Sequence, residues 1–196
     1  MRIIDWLGDD FETGCAALGQ RIIGRYKPDL VVGISTGGAV LAEAVCRLTV
    51  ALNRVQRCNV TARRPGTPHK NKFGLKWWLP YLPAWICNRL RIAEMFLLKR
   101  RLRKGLPQAA RAVTISEGAI RAICQSSSIV VIDDAVDSGA TLASVMNQIQ
   151  AINPAAMLHS AVVTVTLDNS GYEPDISVHR GIIVRFPWSA DAPRHP

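Results

Sequence analysis

The stretch that decides the fold is Ile129 to Thr141, which reads IVVIDDAVDSGAT. Its first four residues are all β-branched, a run too short and too uniform for an amphipathic helix, and this predicts a buried parallel strand. Two acids, Asp133 and Asp134, end the run. Small polar residues follow, which leave backbone N–H groups free, and then a segment with helical periodicity. We therefore predict a strand, an anion-holding loop and the start of a helix.

The two acids restrict the kind of ligand that this loop can hold. The first turn of a helix binds phosphate because its N–H groups are unpaired and its dipole is positive there. Carboxylates beside such a site would repel a bare phosphate. They are useful if they accept hydrogen bonds from a vicinal diol or lie beside a metal ion, so Asp133 and Asp134 indicate a ribose 5-phosphate. The alternative is an ordinary strand-to-helix turn with an Asp or Ser cap.

The complete pattern resembles the signature with which type I phosphoribosyltransferases bind 5-phosphoribosyl 1-diphosphate (PRPP). The resemblance implies that one loop holds the 5-phosphate through its N–H groups and hydroxyls. The residues of that loop are Asp137, Ser138, Gly139, Ala140 and Thr141. It also implies that Asp133 and Asp134 accept from the ribose hydroxyls, directly or through a water bound to Mg²⁺. Asp137 is the candidate general base, with helix capping as its alternative role.

A second glycine-bearing loop follows the predicted strand at Leu30 to Ile34. It reads Ser35, Thr36, Gly37 and Gly38, a spacing that fits neither a dinucleotide-binding loop nor a P-loop. Together with the first motif it resembles the family's pyrophosphate loop. Many members that act on 6-oxopurines have a basic residue where Thr36 stands here. We expect Arg63 and Arg64 to supply that charge from the loop that corresponds to the family's flexible loop; a solvated loop is the alternative.

Length and composition predict one domain, residues 1–196. A chain of 196 residues with 48% hydrophobic residues can bury a sizeable core. Within it we expect 63–105 to be a basic lid and helical insertion and 168–196 to be a hood and tail. Residues 1–10 carry three acids and no apolar run, so we expect no secretory signal and a cytoplasmic protein. Cysteines and histidines without metal-ligand spacing predict neither a zinc site nor disulfides.

The positive charge is concentrated in one segment of the chain. Residues 54–104 contain 14 of the 24 Lys and Arg residues but one of the 15 acids. Within 83–104 an apolar stripe of helical spacing lies among basic residues: Ile86, Leu90, Ala93 and Leu97. The stripe predicts packing on the domain core or in a homodimer. A nucleic acid or an anionic membrane bound through 77–104 is the alternative, because four aromatic residues precede the helix.

The chain ends with a second point of resemblance. Phe186, Pro187 and Trp188 are similar to the ending of xanthine, guanine and hypoxanthine phosphoribosyltransferases, whose C-terminal hood stacks an aromatic residue on the base. The resemblance implies a base pocket containing Ile183 and Trp188. In those enzymes the stacking residue lies several positions before the Pro-Trp pair, where this chain has isoleucines. Trp188 has a core or interface role as its alternative.

Alternating helices and continuous apolar strands predict a doubly wound, mainly parallel α/β sheet. Further predicted strands are 55–62, 112–115, 161–165 and 182–184, and further helices are 6–26, 39–52, 117–124 and 142–152. The implied function is phosphoribosyl transfer from PRPP to a nitrogen heterocycle, a purine-like base, with release of pyrophosphate. The alternatives are a PRPP-sensing regulator of the same fold that binds RNA, and a membrane-associated transferase.

Overall fold

The structure is a computed structural model that describes residues 2–63, 111–167, 171–189 and 192. Between the first two ranges it also describes six helical residues: Arg89, Ile92, Ala93, Phe96, Leu97 and Arg100.

A six-stranded, mostly parallel sheet forms the centre of the fold. In chain order, the strands among the described residues are β1 (Arg2–Asp5), β2 (Leu30–Ser35), β3 (Gln56–Arg63), β4 (Ala112–Ile115), β5 (Ser128–Val136), β6 (Met157–Val165), β7 (Ile176–Arg180) and β8 (Ile182–Arg185). The central sheet has the order β4-β3-β2-β5-β6-β7, and only β4 runs antiparallel to its neighbour. The signature strand β5 therefore lies in the middle of the sheet.

Four helices are described in full, and their ends follow from local sequence. They are α1 (Gly8–Arg25), α2 (Gly37–Leu48), α3 (Glu117–Gln125) and α4 (Ala140–Ile152). α1 has Asp9 and Asp10 in its first turn and Arg25 in its last, which complements the helix dipole. The Ser116 hydroxyl caps α3 by accepting from the N–H of Ala119.

The core occupies both faces of the sheet because neighbouring residues of a strand point to opposite sides. Val31 and Val130 are buried among side chains of α1 and α2. Val32 and Val131 are buried on the other face, among side chains of α3 and α4. Helices thus cover both faces, which explains the continuous apolar strands and confirms the predicted doubly wound α/β fold.

A second, two-stranded sheet joins the two ends of the described chain. β1 pairs in parallel with β8, from Arg2 opposite Ile182 to Asp5 opposite Arg185. The buried Arg185 guanidinium forms an ion pair with the Asp5 carboxylate at 2.6 Å. The sequence prediction missed β1 because this strand is short and has a charged residue at each end. It also missed β7.

Other element boundaries differ in detail from those predicted. The helix expected over 39–52 ends at Leu48 and is followed by a separate 3-10 turn at Val50–Leu52. In the predicted helix of 83–104, Ala93 and Leu97 are helical but exposed, so they do not pack on the core. Ile86 and Leu90 lie outside the described residues. In the part of the chain that the structure describes, no helix has the length and apolar character needed to cross a membrane.

Candidate functional site

The two glycine-bearing loops meet at the carboxyl ends of β2 and β5, which are neighbours in the sheet. The loop after β2 packs directly against the acids that end β5. A Cβ on Gly38 would lie 2.7 Å from the Ile132 carbonyl oxygen and 2.9 Å from the Asp133 Cα. Only glycine permits this approach. Ligands of doubly wound sheets bind at such an edge, so this edge is the candidate site.

The predicted phosphate loop has a backbone that requires glycine. Gly139 has a φ of +79° and precedes the first residue of α4. The N–H of Gly171 donates to the Ser138 carbonyl at 2.9 Å, and a Cβ on Gly139 would lie 2.5 Å from the Tyr172 nitrogen. The loop is therefore held from outside by the 171–172 segment, which sequence reasoning did not connect with it.

A polar cavity of about 90 Å³ lies in this loop. This space has room for several water molecules, and hence for a phosphate group. Its lining residues are Arg111, Asp133, Ala135, Val136, Asp137, Ser138, Gly139, Thr141 and Leu142. The cavity thus combines the loop predicted to bind the 5-phosphate with one arginine that was not predicted.

Arg111 was missed because its position depends on the direction of a strand. It immediately precedes β4, which is antiparallel to β3 and places Ala112 opposite Arg63. The start of β4 therefore lies at the same sheet edge as the ends of the parallel strands. The Arg111 N–H also donates to the Ser144 hydroxyl of α4 at 3.0 Å, which anchors this residue beside the loop. An arginine beside the first turn of a helix favours an anionic ligand.

The paired acids differ in their surroundings. Asp133 is 8% exposed, and its Oδ1 accepts from the Asp134 N–H at 3.0 Å. Burial, and next the neighbouring Asp134 carboxylate, raise the pKa of Asp133 well above its usual range. Asp134 is partly exposed; its Oδ1 accepts from the Ala135 N–H at 2.9 Å and its Oδ2 from the Trp188 indole N–H at 2.8 Å. A donor or cation supplied by a ligand would compensate this concentration of negative charge.

Asp137 is exposed at the loop but fixed at one oxygen. The hydroxyl of Thr166, at the end of β6, donates to Asp137 Oδ1 at 2.5 Å and also contacts the Val136 carbonyl at 3.2 Å. Gly139, not Asp137, occupies the N-cap position of α4. Asp137 is therefore oriented by the neighbouring strand. Sequence reasoning missed Thr166, although its position directly after a buried strand is a usable signal.

The predicted pyrophosphate loop is compact. The peptide bond between Ser35 and Thr36 is cis. Thr36 is exposed, whereas Gly37 and Gly38 are buried, and α2 begins at Gly37. This arrangement presents the first N–H groups of α2 at the sheet edge.

The remaining predicted residues fall in different places. Arg63 is the exposed last residue of β3, next to Ala112 in register, and Arg64 lies outside the described residues. Ile183 is 6% exposed in β8, and Trp188 is partly buried. Trp188 stacks on Phe186 with ring centroids 4.9 Å apart and an interplanar angle of 2°. One ring face of Trp188 is thus covered by protein.

The implied Mg²⁺ requires oxygen ligands at the site. Carboxylate oxygens are the hard donors that Mg²⁺ prefers, and Asp133 and Asp134 supply them. Among the described residues, no group of three or more His, Cys, Asp or Glu side chains could hold a metal ion. Two carboxylates are nevertheless enough for Mg²⁺ sites in which waters and substrate phosphates complete the shell, so the residues present fit the ion.

The sequence matches no protein-family model and no curated protein. Its fold does match solved structures, and those described here share 14–18% identity with it. A xanthine-guanine-hypoxanthine phosphoribosyltransferase from Helicobacter pylori matches with a TM-score of 0.61 and 16% identity, over 95% of this chain and 94% of that chain. A purine phosphoribosyltransferase from Pyrococcus horikoshii matches at 0.58 and 18%, over 100% and 97%.

A third similar structure is a hypothetical protein from Neisseria gonorrhoeae with bound ppGpp. Its TM-score is 0.56 at 14% identity, over 96% of this chain and 89% of that chain. At these identities the likeness establishes the fold alone: a mainly parallel α/β fold of the type I phosphoribosyltransferase kind.

Proposed function

We propose that this chain transfers the phosphoribosyl group of PRPP to a purine-like base and releases pyrophosphate. One observation carries the proposal. The small polar cavity lined by Arg111 and by residues of the 137–141 loop is also lined by Asp133, the first of the paired acids. The Arg111 side chain and the N-terminal turn of α4 suit a phosphate, and the carboxylates suit a diol. A ribose 5-phosphate carries both groups on one molecule.

Each part of the donor has a candidate partner. The 5-phosphate lies in the cavity, held by N–H groups of the loop, by the Ser138 and Thr141 hydroxyls and by Arg111. The ribose hydroxyls donate to Asp133 and Asp134. The pyrophosphate is bound by the N–H groups that begin α2. Arg63, at the end of β3, supplies the positive charge that Thr36 lacks, with Arg64 as a further candidate from the sequence.

The reaction breaks the bond between the anomeric carbon and the pyrophosphate oxygen and forms a bond to a nitrogen of the base, with inversion. Positive charge develops on the ribose and negative charge on the leaving group, so positioning and electrostatic stabilisation carry the catalysis. The base nitrogen gives its proton to Asp137, which Thr166 orients. Asp133 and Asp134 would hold Mg²⁺, which would supply positive charge to the pyrophosphate leaving group.

The acceptor is proposed from the structural neighbours. Two of them are named as purine phosphoribosyltransferases and a third has bound ppGpp. This favours a purine-like base over other heterocycles. We place the base near Trp188 and Ile183, as the C-terminal resemblance implies. None of these three neighbours is named as an RNA-binding regulator. The PRPP-sensing function is therefore the rival hypothesis that the experiment below must distinguish.

The decisive experiment follows pyrophosphate release from PRPP and Mg²⁺ with a panel of purine bases. We expect release with at least one base, and loss of both release and PRPP binding in the double variant Asp133→Asn with Asp134→Asn. PRPP binding without release by any base would favour the sensor. Unchanged PRPP affinity in the double variant would remove these acids from the site.

We further propose that the described helical residues Arg89, Ile92, Ala93, Phe96, Leu97 and Arg100 contact an anionic membrane surface. Ile92, Phe96 and Leu97 are 38%, 67% and 60% exposed, and the exposed Arg89 and Arg100 lie at the two ends of this face. An apolar face with arginines suits a layer of anionic headgroups. Pairing of two copies would bring like charges together in either orientation. A nucleic acid offers a phosphate surface with no counterpart for the apolar face.

A further inference from the structure

Trp188 connects the C-terminal segment to the acids of the donor site. Its indole N–H donates to Asp134 Oδ2 at 2.8 Å, although the two residues are 54 positions apart. Both side chains are partly buried, so water competes only in part for this bond. A hydrogen bond from a neutral donor to a carboxylate is stronger than one between neutral groups.

The indole is held in place before any ligand arrives. Phe186, 3% exposed, stacks on it, and Phe11 of α1 meets it edge to face at 5.7 Å and 85°. The turn that carries Trp188 is closed by Ser189, whose hydroxyl accepts from the Phe186 N–H at 2.9 Å. β8, which leads into this turn, is paired with β1. The N–H of Trp188 is therefore aimed by several separate contacts.

The predicted pyrophosphate loop also packs where Asp134 and Trp188 meet, and we call this contact of Gly37, Asp134 and Trp188 the junction. A Cβ on Gly37 would lie 1.9 Å from Asp134 Oδ2 and 2.5 Å from Trp188 Nε1. The other oxygen of Asp134 accepts from the Ala135 N–H. Each carboxylate oxygen of Asp134 accepts from one N–H, and an ionised carboxylate offers about four lone-pair sites in all. The Asp134 side chain has a defined rotamer with acceptor capacity left for a ligand.

We infer that Trp188 is a positioning residue for PRPP, which fixes the Asp134 carboxylate so that its remaining lone pairs face the ribose diol. This inference rests on the proposed function. It gives the C-terminal segment a role on the donor side of the reaction, in addition to any contact with the base. Loss of the N–H should weaken the binding of PRPP even when no base is present.

The test compares Trp188→Phe with Phe11→Leu. The first removes the N–H and retains a ring that can stack on Phe186; the second removes a packing contact of Trp188 and retains the N–H. We expect Trp188→Phe to raise the Kd and KM for PRPP about tenfold or more, from the loss of one hydrogen bond to a charged group. We expect Phe11→Leu, which leaves the N–H and the stack on Phe186 in place, to raise the PRPP Kd less than Trp188→Phe does.

A double-mutant cycle shows whether Trp188 acts through Asp134. In the Asp134→Asn background, Trp188→Phe should change the PRPP Kd by less than about twofold, because the carboxylate it positions is gone. Equal PRPP affinity of Trp188→Phe and the unchanged protein would overturn the inference, as would an equal loss in Phe11→Leu. If the unchanged protein binds no PRPP in calorimetry, the proposed function fails and the inference falls with it.

Discussion

The Thr166 hydroxyl donates a 2.5 Å hydrogen bond to Asp137 Oδ1, and the two residues come from the ends of neighbouring parallel strands. Thr166 is 5% exposed, whereas Asp137 is exposed. A buried donor thus fixes an exposed carboxylate at the edge of the candidate site. A general base must be held within hydrogen-bond reach of the proton that it accepts from the substrate. The bond from Thr166 fixes the Asp137 carboxylate at the site, which supports its proposed role as the general base.

Replacement of Thr166 by Val should slow catalysis more than it weakens PRPP binding. Asp137 loses the partner that orients it, and a hydrogen bond to a charged group contributes about 1.5–3 kcal/mol, so kcat should fall roughly tenfold or more. The matched control is Thr164→Val, which removes a 2.6 Å bond to the Ile182 carbonyl away from Asp137. It should lower stability and leave kcat near that of the parent. Equal kcat losses in both variants would remove the special role of Thr166.

Gly37→Ala should reduce both stability and PRPP affinity. The added methyl group would occupy the space where Asp134 Oδ2 meets Trp188 Nε1, and overpacking costs about 1–3 kcal/mol. Gly118→Ala is the control: this glycine lies in α3 with no heavy atom within 4 Å of the new Cβ, so the variant should be slightly more stable, by about 0.5 kcal/mol. Urea unfolding and PRPP calorimetry measure both effects. A Gly37→Ala protein as stable as its parent would show that the junction can open.

Gly139→Ala should be more destabilising than Gly181→Ala. Both glycines have positive φ, +79° and +66°, so both variants carry a backbone cost of about 1–2 kcal/mol. At Gly139 the Cβ would also meet the Tyr172 backbone at 2.5 Å, whereas nothing lies within 4 Å at Gly181. The difference in unfolding free energy between the two variants isolates the contact with Tyr172. Equal losses would mean that the 171–172 segment moves aside easily.

The sequence predicted the parts of the fold that depend on local pattern. The run that became β5 is uniformly β-branched and ends in two acids, so both the strand and the loop after it could be read directly. The register that places Val130 and Val131 on opposite faces follows from strand geometry. The fold class followed from the alternation of helices with continuous apolar strands along the chain.

The parts that were missed depend on pairing between distant segments. Arg111 reaches the site because β4 is antiparallel, and strand direction cannot be read from a four-residue apolar segment. β1 is stabilised by its pairing with β8, and the Asp5–Arg185 ion pair between these strands joins residues 180 positions apart. Trp188 was expected near the base, and the bond from its N–H to Asp134 depends on how the C-terminal turn packs on α1 and β5. Such contacts are tertiary, and no local pattern encodes them.

His179 should make the protein less stable in acid. Burial, and next the positive charge of Arg2, lower the pKa of His179 from its usual value of 6.5. The folded state therefore binds fewer protons at this residue than the unfolded state, so stability is retained above pH 6.5 and lost as the pH falls below it. Within the described part of the chain, the buried Nε2 has no hydrogen-bond partner. His179→Leu should flatten this acid loss when urea unfolding at pH 8 and pH 5.5 is compared. A parallel decline in variant and parent would assign the loss to other groups.

The exposed helical face should bind vesicles that contain an anionic lipid. Phe96 and Leu97 are 67% and 60% exposed, and a membrane interface would bury them while the arginines remain at headgroup level. We expect co-sedimentation with phosphatidylglycerol vesicles, weaker binding at high salt, and little binding to phosphatidylcholine vesicles. The double change Phe96→Ser with Leu97→Ser should abolish the binding.

The control for this experiment is Val50→Ser, because Val50 is an apolar residue with 89% exposure that belongs to the 3-10 turn and not to the helical segment. If vesicle binding depends on surface hydrophobicity in general, Val50→Ser should weaken it as well. If it depends on the helical face, Val50→Ser should bind vesicles as the parent does. A shift of the double variant from dimer to monomer, without any vesicle binding by the parent, would identify a second copy of the chain as the partner. Retention of RNA that survives the Phe96 and Leu97 changes would instead assign the segment to a nucleic acid, since phosphate contacts need the basic side chains alone.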